Sequence, residues 1–498
     1  MSQINVQNLT FGYEGSLKNV FENVSFVLDT DWKLGLIGRN GKGKTTFLKL
    51  LMGQYEYQGT ISKNIDIDYF PYDIKNENEM VLDIIISIVP NVEDWEIIKE
   101  LNLLNTTADI LYRPYNTLSG GEQVKVQLVA LFLKQDNFLL IDEPTNHLDK
   151  EARDSIINYI KNKKGFIVVS HDRHFLDNVC DHIISINNAN IDIQKGNYSS
   201  WKENMDRQNS FEQMQNEKIN RDISRLEVAQ KSTSNWSDSV ESTKVGVRVS
   251  GLRPDTGYIG HQAAKMMKRS KVIEARIEKA IDEKKNLLNN VDRQDNLTIK
   301  PLTNKRNPII IFENVSVMYG EKEIFEPLSF DICNGDRIAL IGKNGAGKSS
   351  IVKLILNESK MDFKGKIRRP EVLKISYVSQ NTDYLKGNLK DFAKACDIDE
   401  SIFKAMLAKM GLDRIELDKN IEDMSEGQKK KVLIAKSITE SADIYVWDEP
   451  LNYIDILTRE QIEEAILKYM PTLVFVEHDD TFVQKIATKI IKVTRKED

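Results

Sequence analysis

The chain has 498 residues, 41% of them hydrophobic and 29% charged, with a net charge of −6; a length of this order suits two to four domains with ordinary cores. No apolar run approaches the roughly 20 residues that span a bilayer, and the N-terminal MSQINVQNLTFGY lacks the charged and apolar regions of a secretion signal, which argues for a cytoplasmic protein. Three cysteines far apart (Cys180, Cys333, Cys396) suit a reducing compartment, the six histidines make no zinc pattern, and the acidic total confines any nucleic-acid contact to a local patch.

In chain order, INVQNLTFGY and KLGLIG predict strands ahead of a glycine loop, GRNGKGKT (Gly38–Thr45), and TTFLKLLM predicts the helix after it. LSGGEQ (Leu118–Gln123), FLLIDEPTNHLD (Phe138–Asp149) and VVSHD (Val168–Asp172) follow. The series then returns. GKNGAGKS (Gly342–Ser349) stands 304 residues after its counterpart, the serines of LSGGEQ and MSEGQK are 306 apart, the aspartates of LLIDEP and YVWDEP 306, and the histidines of VVSHD and FVEHD 307. Four landmarks in one order at a nearly constant offset mean a duplicated domain. The apolar runs FLLID, FIVVSH, IYVWD and TLVFVEH read as buried parallel strands, so each copy, at 1–200 and 307–498, is expected to be an α/β domain with a largely parallel core sheet.

The glycine loops fit the phosphate-binding pattern G-x-x-x-x-G-K-[ST] between a strand and a helix. Glycines let successive backbone N–H groups curl around phosphates, and the helix N-terminus adds positive potential. Gly38, Asn40, Gly41, Gly43, Lys44, Thr45 and Thr46 form the first set; Gly342, Asn344, Gly345, Gly347, Lys348, Ser349 and Ser350 form the second. The lysines are expected on the β- and γ-phosphates of ATP, and the Thr45 and Ser349 hydroxyls on Mg²⁺. Asp142 and Asp448 each end an apolar strand, where a carboxylate can share that metal; Glu143 and Glu449 come next, placed to orient or deprotonate the attacking water. An acidic pair at a strand end is often only a helix cap, and the glycine loop is what favours the catalytic reading.

Glycine loop, LSGGE, apolar-DE, the NHLD turn and a single histidine together resemble the ATP-binding cassette family. Two cassettes with the wording EPTNHLD resemble its ABC-F branch over essentially the whole chain, so the fold expected is two tandem P-loop ABC ATPase domains joined by a long α-helical antiparallel coiled-coil hairpin. The resemblance implies head-to-tail cassettes, the P-loop of one facing the signature of the other. Site one then comprises Lys44, Thr45, Asp142, Glu143 and His171 against Ser425 and Gly427. Site two comprises Lys348, Ser349, Gln380, Asp448, Glu449 and His478 against Ser119, Gly120 and Gly121. It also implies that Tyr13 and Tyr319, 25 and 23 residues before their P-loops, stack on adenine, that ATP acts as glue and that hydrolysis acts as release.

The sites are not expected to be equal. Gln380 in YVSQ is the glutamine that helps place Mg²⁺ and water; the first copy reads YFPY, with Tyr72 there, and a tyrosine cannot offer an amide carbonyl to a metal. The second signature, MSEGQ, has Glu426 where the first has Gly120, and a carboxylate near a γ-phosphate repels it unless turned outward. Both departures fall on site one, which is therefore expected to hold ATP and turn over slowly while site two does most of the hydrolysis.

Between the copies, residues 201–306 hold no nucleotide motif. Ile219, Ile223 and Leu226 going out, and Met266, Ile273, Ile277, Ile281 and Leu288 returning, give sparse helical seams, the pattern of an antiparallel hairpin. A helix of about 35 residues would reach roughly 50 Å. Its tip, at about 234–262, is broken by Gly246, Gly251, Pro254, Gly257 and Gly260. From Lys244 to Lys271 the residues Lys244, Arg248, Arg253, Lys265, Lys268, Arg269 and Lys271 face only Asp255, a charge of +6 in 28 residues. Such a run at the end of a hairpin is read as an RNA-binding face, with salt-dependent phosphate contacts.

The ABC-F resemblance supplies the partner. It implies entry at the tRNA exit site of the 70S ribosome, against 23S rRNA and P-site tRNA, by a monomer without a membrane partner. WKLGLIGRNGKGKTT, DTGYIG, MKRSK and IYVWDEPLNYID look most like the Lsa/Vga-type antibiotic-resistance members, which protect the large subunit from lincosamides, pleuromutilins and streptogramins A. The alternatives are a housekeeping ABC-F translation factor that relieves stalled ribosomes, the ATPase subunit of a drug exporter, and a DNA-maintenance ATPase.

Overall fold

The apolar runs around the first glycine loop assemble, in the computed structural model, into a six-stranded sheet in the order Asp66–Phe70, Asn137–Asp142, Phe166–Val169, Lys33–Gly38, His182–Asn187, Asn190–Lys195. All neighbours are parallel except the last pair. Cassette two repeats this as five parallel strands, Ile375–Val378, Ile444–Asp448, Leu473–Val476, Arg337–Ile341 and Lys489–Lys492. Strands covered on both faces must be apolar throughout: Phe166–Val169 and Leu473–Val476 are buried at every residue. The structure describes all residues except 1, 15–18, 135–136, 147, 149, 188–189, 243–260, 262–263, 266–267, 270, 274, 280–295, 321, 344, 359–360 and 497–498.

Each cassette adds an antiparallel sheet. Gln3–Phe11 lies between Phe21–Asp29 and Gln58–Ser62, and Ile310–Tyr319 pairs with Lys322–Glu323, Leu328–Ile332 and Phe363–Arg368. Helices pack on the other side, among them Gly120–Leu133 and Glu426–Thr439, which start at the two signatures. Both helices begin with the S-x-x-E/Q text of a capping box: Ser119 with Glu122, and Ser425 with Gln428. Among the described residues the apolar clusters include one around Phe21, Phe47 and Phe138, another around Phe312, Phe325 and Val474, and one around Phe403, Trp447 and Phe475.

The two cassettes form one compact unit, Met1–Trp201 with Gln294–Asp498; Lys202–Arg293 form a second. The long helix runs from Tyr198 to Ser242, 45 residues, or about 67 Å at 1.5 Å per residue. It is longer than expected because no glycine or proline interrupts that text. Along it, Ile219 and Leu226 are half-buried and Ile223 is buried, while Lys202–Asp206, Arg207–Glu203 and Arg221–Glu217 pair one turn apart on the solvated side. On the return, the described residues between 261 and 279 are helical; Ile277 is half-buried and Ile273 exposed. Met266, Ile281 and Leu288 lie outside the described residues, as do Lys244, Arg248, Arg253 and most of the tip. The return also ends earlier than expected: Leu297 and Ile299 are buried in the core of cassette two.

Candidate ATP sites at the cassette interface

Each P-loop forms where a parallel strand hands over to a helix through a glycine at φ 99°, Gly43 in one copy and Gly347 in the other. A side chain there is excluded twice, by the left-handed backbone and by space: a Cβ on Gly43 would sit 2.5 Å from Val20, and one on Gly347 2.7 Å from Phe325. The lysine that follows is buried and bonded inside the loop. Lys44 Nζ donates to the Gly38 carbonyl at 2.7 Å and to Asn40 Oδ1 at 3.0 Å; Lys348 Nζ donates to the carbonyls of Gly342 at 2.7 Å and Lys343 at 3.1 Å. Burial lowers the Lys44 pKa against the pull of Asp455 and Glu143.

The acidic pairs share an unusual backbone. Glu143 and Glu449 both adopt positive φ, 52° and 46°, directly after the strand that ends in Asp142 or Asp448. Each is pinned by its own N–H, to the Val169 carbonyl at 2.9 Å and the Val476 carbonyl at 3.0 Å. Non-glycine residues hold this conformation at a cost of about 1–3 kcal/mol, which is common where a side chain must be aimed.

At site one, Tyr13, the P-loop, Asp142, Glu143 and His171 line a cavity of about 480 Å³ together with Ser425, Glu426, Gly427 and Tyr453 of the other cassette. The P-loop meets the second cassette directly: Asn40 Nδ2 donates to the Tyr453 carbonyl at 2.6 Å, and its N–H to Asp455 Oδ2 at 3.3 Å. A Cβ on Gly427 would lie 2.6 Å from that same carbonyl, so the signature glycine is what permits the approach. Asp455 is buried and paired with Lys431 at 2.8 Å; burial alone would raise its pKa, but Lys431 and Lys44 hold the carboxyl below the usual range. The Tyr13 hydroxyl is 2.7 Å from Thr46 Oγ1, and its ring packs edge-on against Phe11 and Tyr55. Tyr319 ends the strand Ile310–Tyr319.

Burial, then the adjacent Asp142 charge, push the Glu143 carboxyl well above the usual carboxylate range, and burial, then Lys44, hold the His171 imidazole below its own. The two groups are 3.2 Å apart (Nε2 to Oε1), yet that oxygen has no hydrogen-bond partner. Asp142 is raised by burial, against a 2.9 Å hydrogen bond from the Tyr69 hydroxyl and the charge of Lys44. Tyr72 is 40% exposed and absent from the cavity lining; its N–H donates to Gln127. Glu426 does line the cavity, but its carboxylate takes a hydrogen bond from Thr382 and an ion pair with Lys429 at 3.0 Å, which hold its pKa low. The repulsive group is thus anchored to its own cassette.

At site two, Gly345, Gly347, Lys348, Ser349, Ser350, Gln380, Glu449, Asn452 and His478 surround about 490 Å³. Gln380 Nε2 and Asn452 Nδ2 each donate to Glu449 Oε2 at 2.8 Å, and His478 Nε2 lies 3.8 Å from Oε1. Asp448 is buried, and its Oδ1 has no hydrogen-bond partner. Burial, then Glu449, raise it, while the Ser349 hydroxyl and Lys430 act against them.

The facing cassette contributes Leu148 and Arg153 rather than the signature: Ser119, Gly120 and Gly121 are not in the lining, and nothing lies within 4 Å of a Cβ built on Gly120. The cassette-two P-loop instead meets the helix Lys150–Ile160, through Lys343 and Glu151 at 3.0 Å. Asn344 lies outside the described residues. Sequence reading missed Tyr69, Asn452, Tyr453, Thr382, Arg153 and its twin Arg459. The last two stand 306 apart, so the repeat offset itself could have flagged them.

Among the described residues no helix is long and apolar enough to cross a membrane. The family profile described as "ABC transporter" matches twice, over residues 21–146 and 325–452. Ribosome protection protein VmlR of Bacillus subtilis is 28% identical over 95% of this chain and 84% of its own length. Erythromycin resistance ATP-binding protein MsrA of Staphylococcus epidermidis is 28% identical over 93% and 92%. A crystal structure of the complex of archaeal ribosomal stalk protein aP1 and archaeal ribosome recycling factor aABCE1 superposes with a TM-score of 0.62 at 20% identity, covering 97% of this chain and 87% of that one. Two matched domains in one polypeptide, covering about half of its residues, place the chain in the ABC transporter family of ATPases, with two cassettes.

Proposed function

We propose that this ATPase is a ribosome factor: it binds the 70S ribosome at the tRNA exit site with ATP between its cassettes, protects the large subunit from lincosamide, pleuromutilin and streptogramin A drugs, and leaves on hydrolysis. The observation that carries the reading is the second unit, Lys202–Arg293, which lies between the cassettes in sequence and bears exposed Lys265, Lys268, Arg269 and Lys271 on helical backbone. A basic helical arm on an acidic protein suits a phosphate-rich partner recognised by shape. The names of VmlR and MsrA support the ribosome and the resistance role.

The residues fit the chemistry. A buried carboxylate oxygen without a partner, Asp448 Oδ1, near the Ser349 hydroxyl is the oxygen donor set that Mg²⁺ takes. In this reading Asp448, Ser349 and Gln380 hold the metal at site two, Asp142 and Thr45 at site one. Bound Mg²⁺ supplies charge neutralisation on the β- and γ-phosphates. Lys44 and Lys348 grip those phosphates. Glu449, aimed by its left-handed backbone and held by Gln380 and Asn452, orients the water and takes its proton, with His478 beside it; Glu143 and His171 are their counterparts.

Glu143→Gln together with Glu449→Gln should let ATP bind without turnover. Cosedimentation of that variant with ribosomes in ATP supports the reading; association with membranes or DNA and not ribosomes contradicts it. Replacing Lys265, Lys268 and Arg269 by Ala should weaken ribosome binding and flatten its salt dependence, with little change in ribosome-free ATPase activity. Minimum inhibitory concentrations of the three drug classes, with and without expression, test the protective role.

A further inference from the structure

We propose that Arg153 of cassette one is a positioning residue for site two, tying the two switch histidines together so that turnover at site two follows the state of cassette one. The inference rests on the reading of Glu143 and Glu449 as the two bases. Arg153 lies in the helix Lys150–Ile160 with its side chain 16% exposed. Its Nη1 pairs with Asp172 Oδ2 at 3.3 Å and donates to the His478 carbonyl, in the other cassette, at 2.9 Å; Nη2 donates to the Leu148 carbonyl at 3.4 Å. Asp172 follows His171 and caps the next helix by accepting from the Phe175 N–H at 3.0 Å. One planar guanidinium therefore touches both histidine loops, a geometry that its rigid fork suits and a lysine can only partly copy.

The twin residue does not return the favour. Arg459 pairs with Asp479 at 3.2 Å and donates to the carbonyls of Ile454 and Leu451, each at 2.9 Å, all within cassette two. Its links to Asp479 and Ile454 copy those of Arg153 to Asp172 and Leu148, so the bond to His478 is the added feature, and it runs one way. A shift of the His478 carbonyl moves an imidazole that stands 3.8 Å from Glu449 Oε1. Such coupling is expected in kcat, where reciprocity is not required, more than in ATP affinity.

The test is ATPase kinetics of the full chain in two backgrounds, Glu143→Gln to isolate site two and Glu449→Gln to isolate site one, each with Arg153→Gln or Arg153→Lys. With Glu143→Gln, Arg153→Gln should lower kcat roughly tenfold, the worth of one hydrogen bond from a charged donor, with KM changed less than about twofold. Arg153→Lys should recover part of the loss. With Glu449→Gln, Arg153→Gln should change kcat less than about twofold. Equal losses in both backgrounds, an effect on KM alone, or unchanged site-two kcat in the folded Arg153→Lys and Arg153→Gln proteins would overturn the proposal. If neither base variant alone lowers turnover, the assignment of the bases fails instead, and that result is visible before Arg153 is changed.

Discussion

The two ATP sites are built from one duplicated plan, yet they are closed in different ways. Site one is held across the interface by contacts out of water. Its P-loop amide and Asn40 side chain reach Asp455 and Tyr453, and just beyond His171 the buried Arg173 pairs with the buried Glu463. Site two is joined by the single Arg153 hydrogen bond to the His478 carbonyl and by Lys343–Glu151 and Lys150–Asp480, whose side chains are half or more exposed, and its opposing signature does not line the cavity. Chemistry runs the other way. Glu449 has two side-chain amide donors and His478 beside it, Asp448 keeps an oxygen free, and Gln380 is present; Glu143 has His171 beside it and accepts from the His171 N–H at 3.4 Å but from no side-chain amide, Asp142 is capped by Tyr69, and Tyr72 is not part of the cavity lining. The better-closed site is the less well-equipped one. A duplicated enzyme can in this way separate holding from hydrolysing.

The closure half of that contrast carries the largest expected effect. Glu463→Ala strands Arg173 and should cost about 3–5 kcal/mol of stability, whereas Glu151→Ala should cost less than about 1 kcal/mol, because a buried charge without its partner is heavily penalised and an exposed pair is worth little. Urea unfolding of the two variants measures the difference, and equal costs would remove the distinction.

The histidine loops differ as well. Cassette one has Ser170 before its histidine; cassette two has the buried Glu477, which accepts from the N–H groups of Leu451 and His478, and whose pKa burial pushes up to about 7 against the pull of Arg459. A carboxyl raised on folding favours the neutral form in the native state. Its contribution is complete below its unfolded value, near 4.5, and is lost as pH rises through 7, up to ~3 kcal/mol. Thermal scans between pH 4.5 and 8 should show this decline in the wild type and a flatter profile in Glu477→Gln.

A smaller effect is expected from the metal-side glutamine: Gln380→Ala should lower steady-state ATPase activity roughly tenfold, while Tyr72→Ala should change it less than about twofold. The smallest concerns the altered signature. Since Thr382 and Lys429 anchor the Glu426 carboxylate, Glu426→Gly should leave site-one turnover, read in Glu449→Gln, within about twofold; a large gain would mean that its charge still reaches the phosphates.

Much of this was legible in the sequence because the P-loops, signatures and acidic strand ends are local: glycine at a left-handed cap, a capping box, a carboxylate ending an apolar strand. The inequality at residues 72 and 380 could be read as well, since it needs only the repeat offset. What escaped was the interface. The anchoring of Glu426 depends on Thr382, 44 residues away, and the reach of Arg153 to His478 on a partner 325 residues away; no local pattern encodes either. The long helix was underestimated mostly at its far end, where it continues to Ser242 past the expected start of the tip, and slightly at its N-terminal turn, where Tyr198 and Trp201 are buried and Tyr198 is bonded to Glu460.

The central claim is that site two hydrolyses and site one holds. Steady-state ATPase activity of Glu449→Gln and Glu143→Gln, measured side by side, tests it most directly. The account predicts that Glu449→Gln loses at least about a hundredfold, the scale of removing a general base, while Glu143→Gln keeps about half or more of the wild-type rate. Equal losses in the two variants would contradict it.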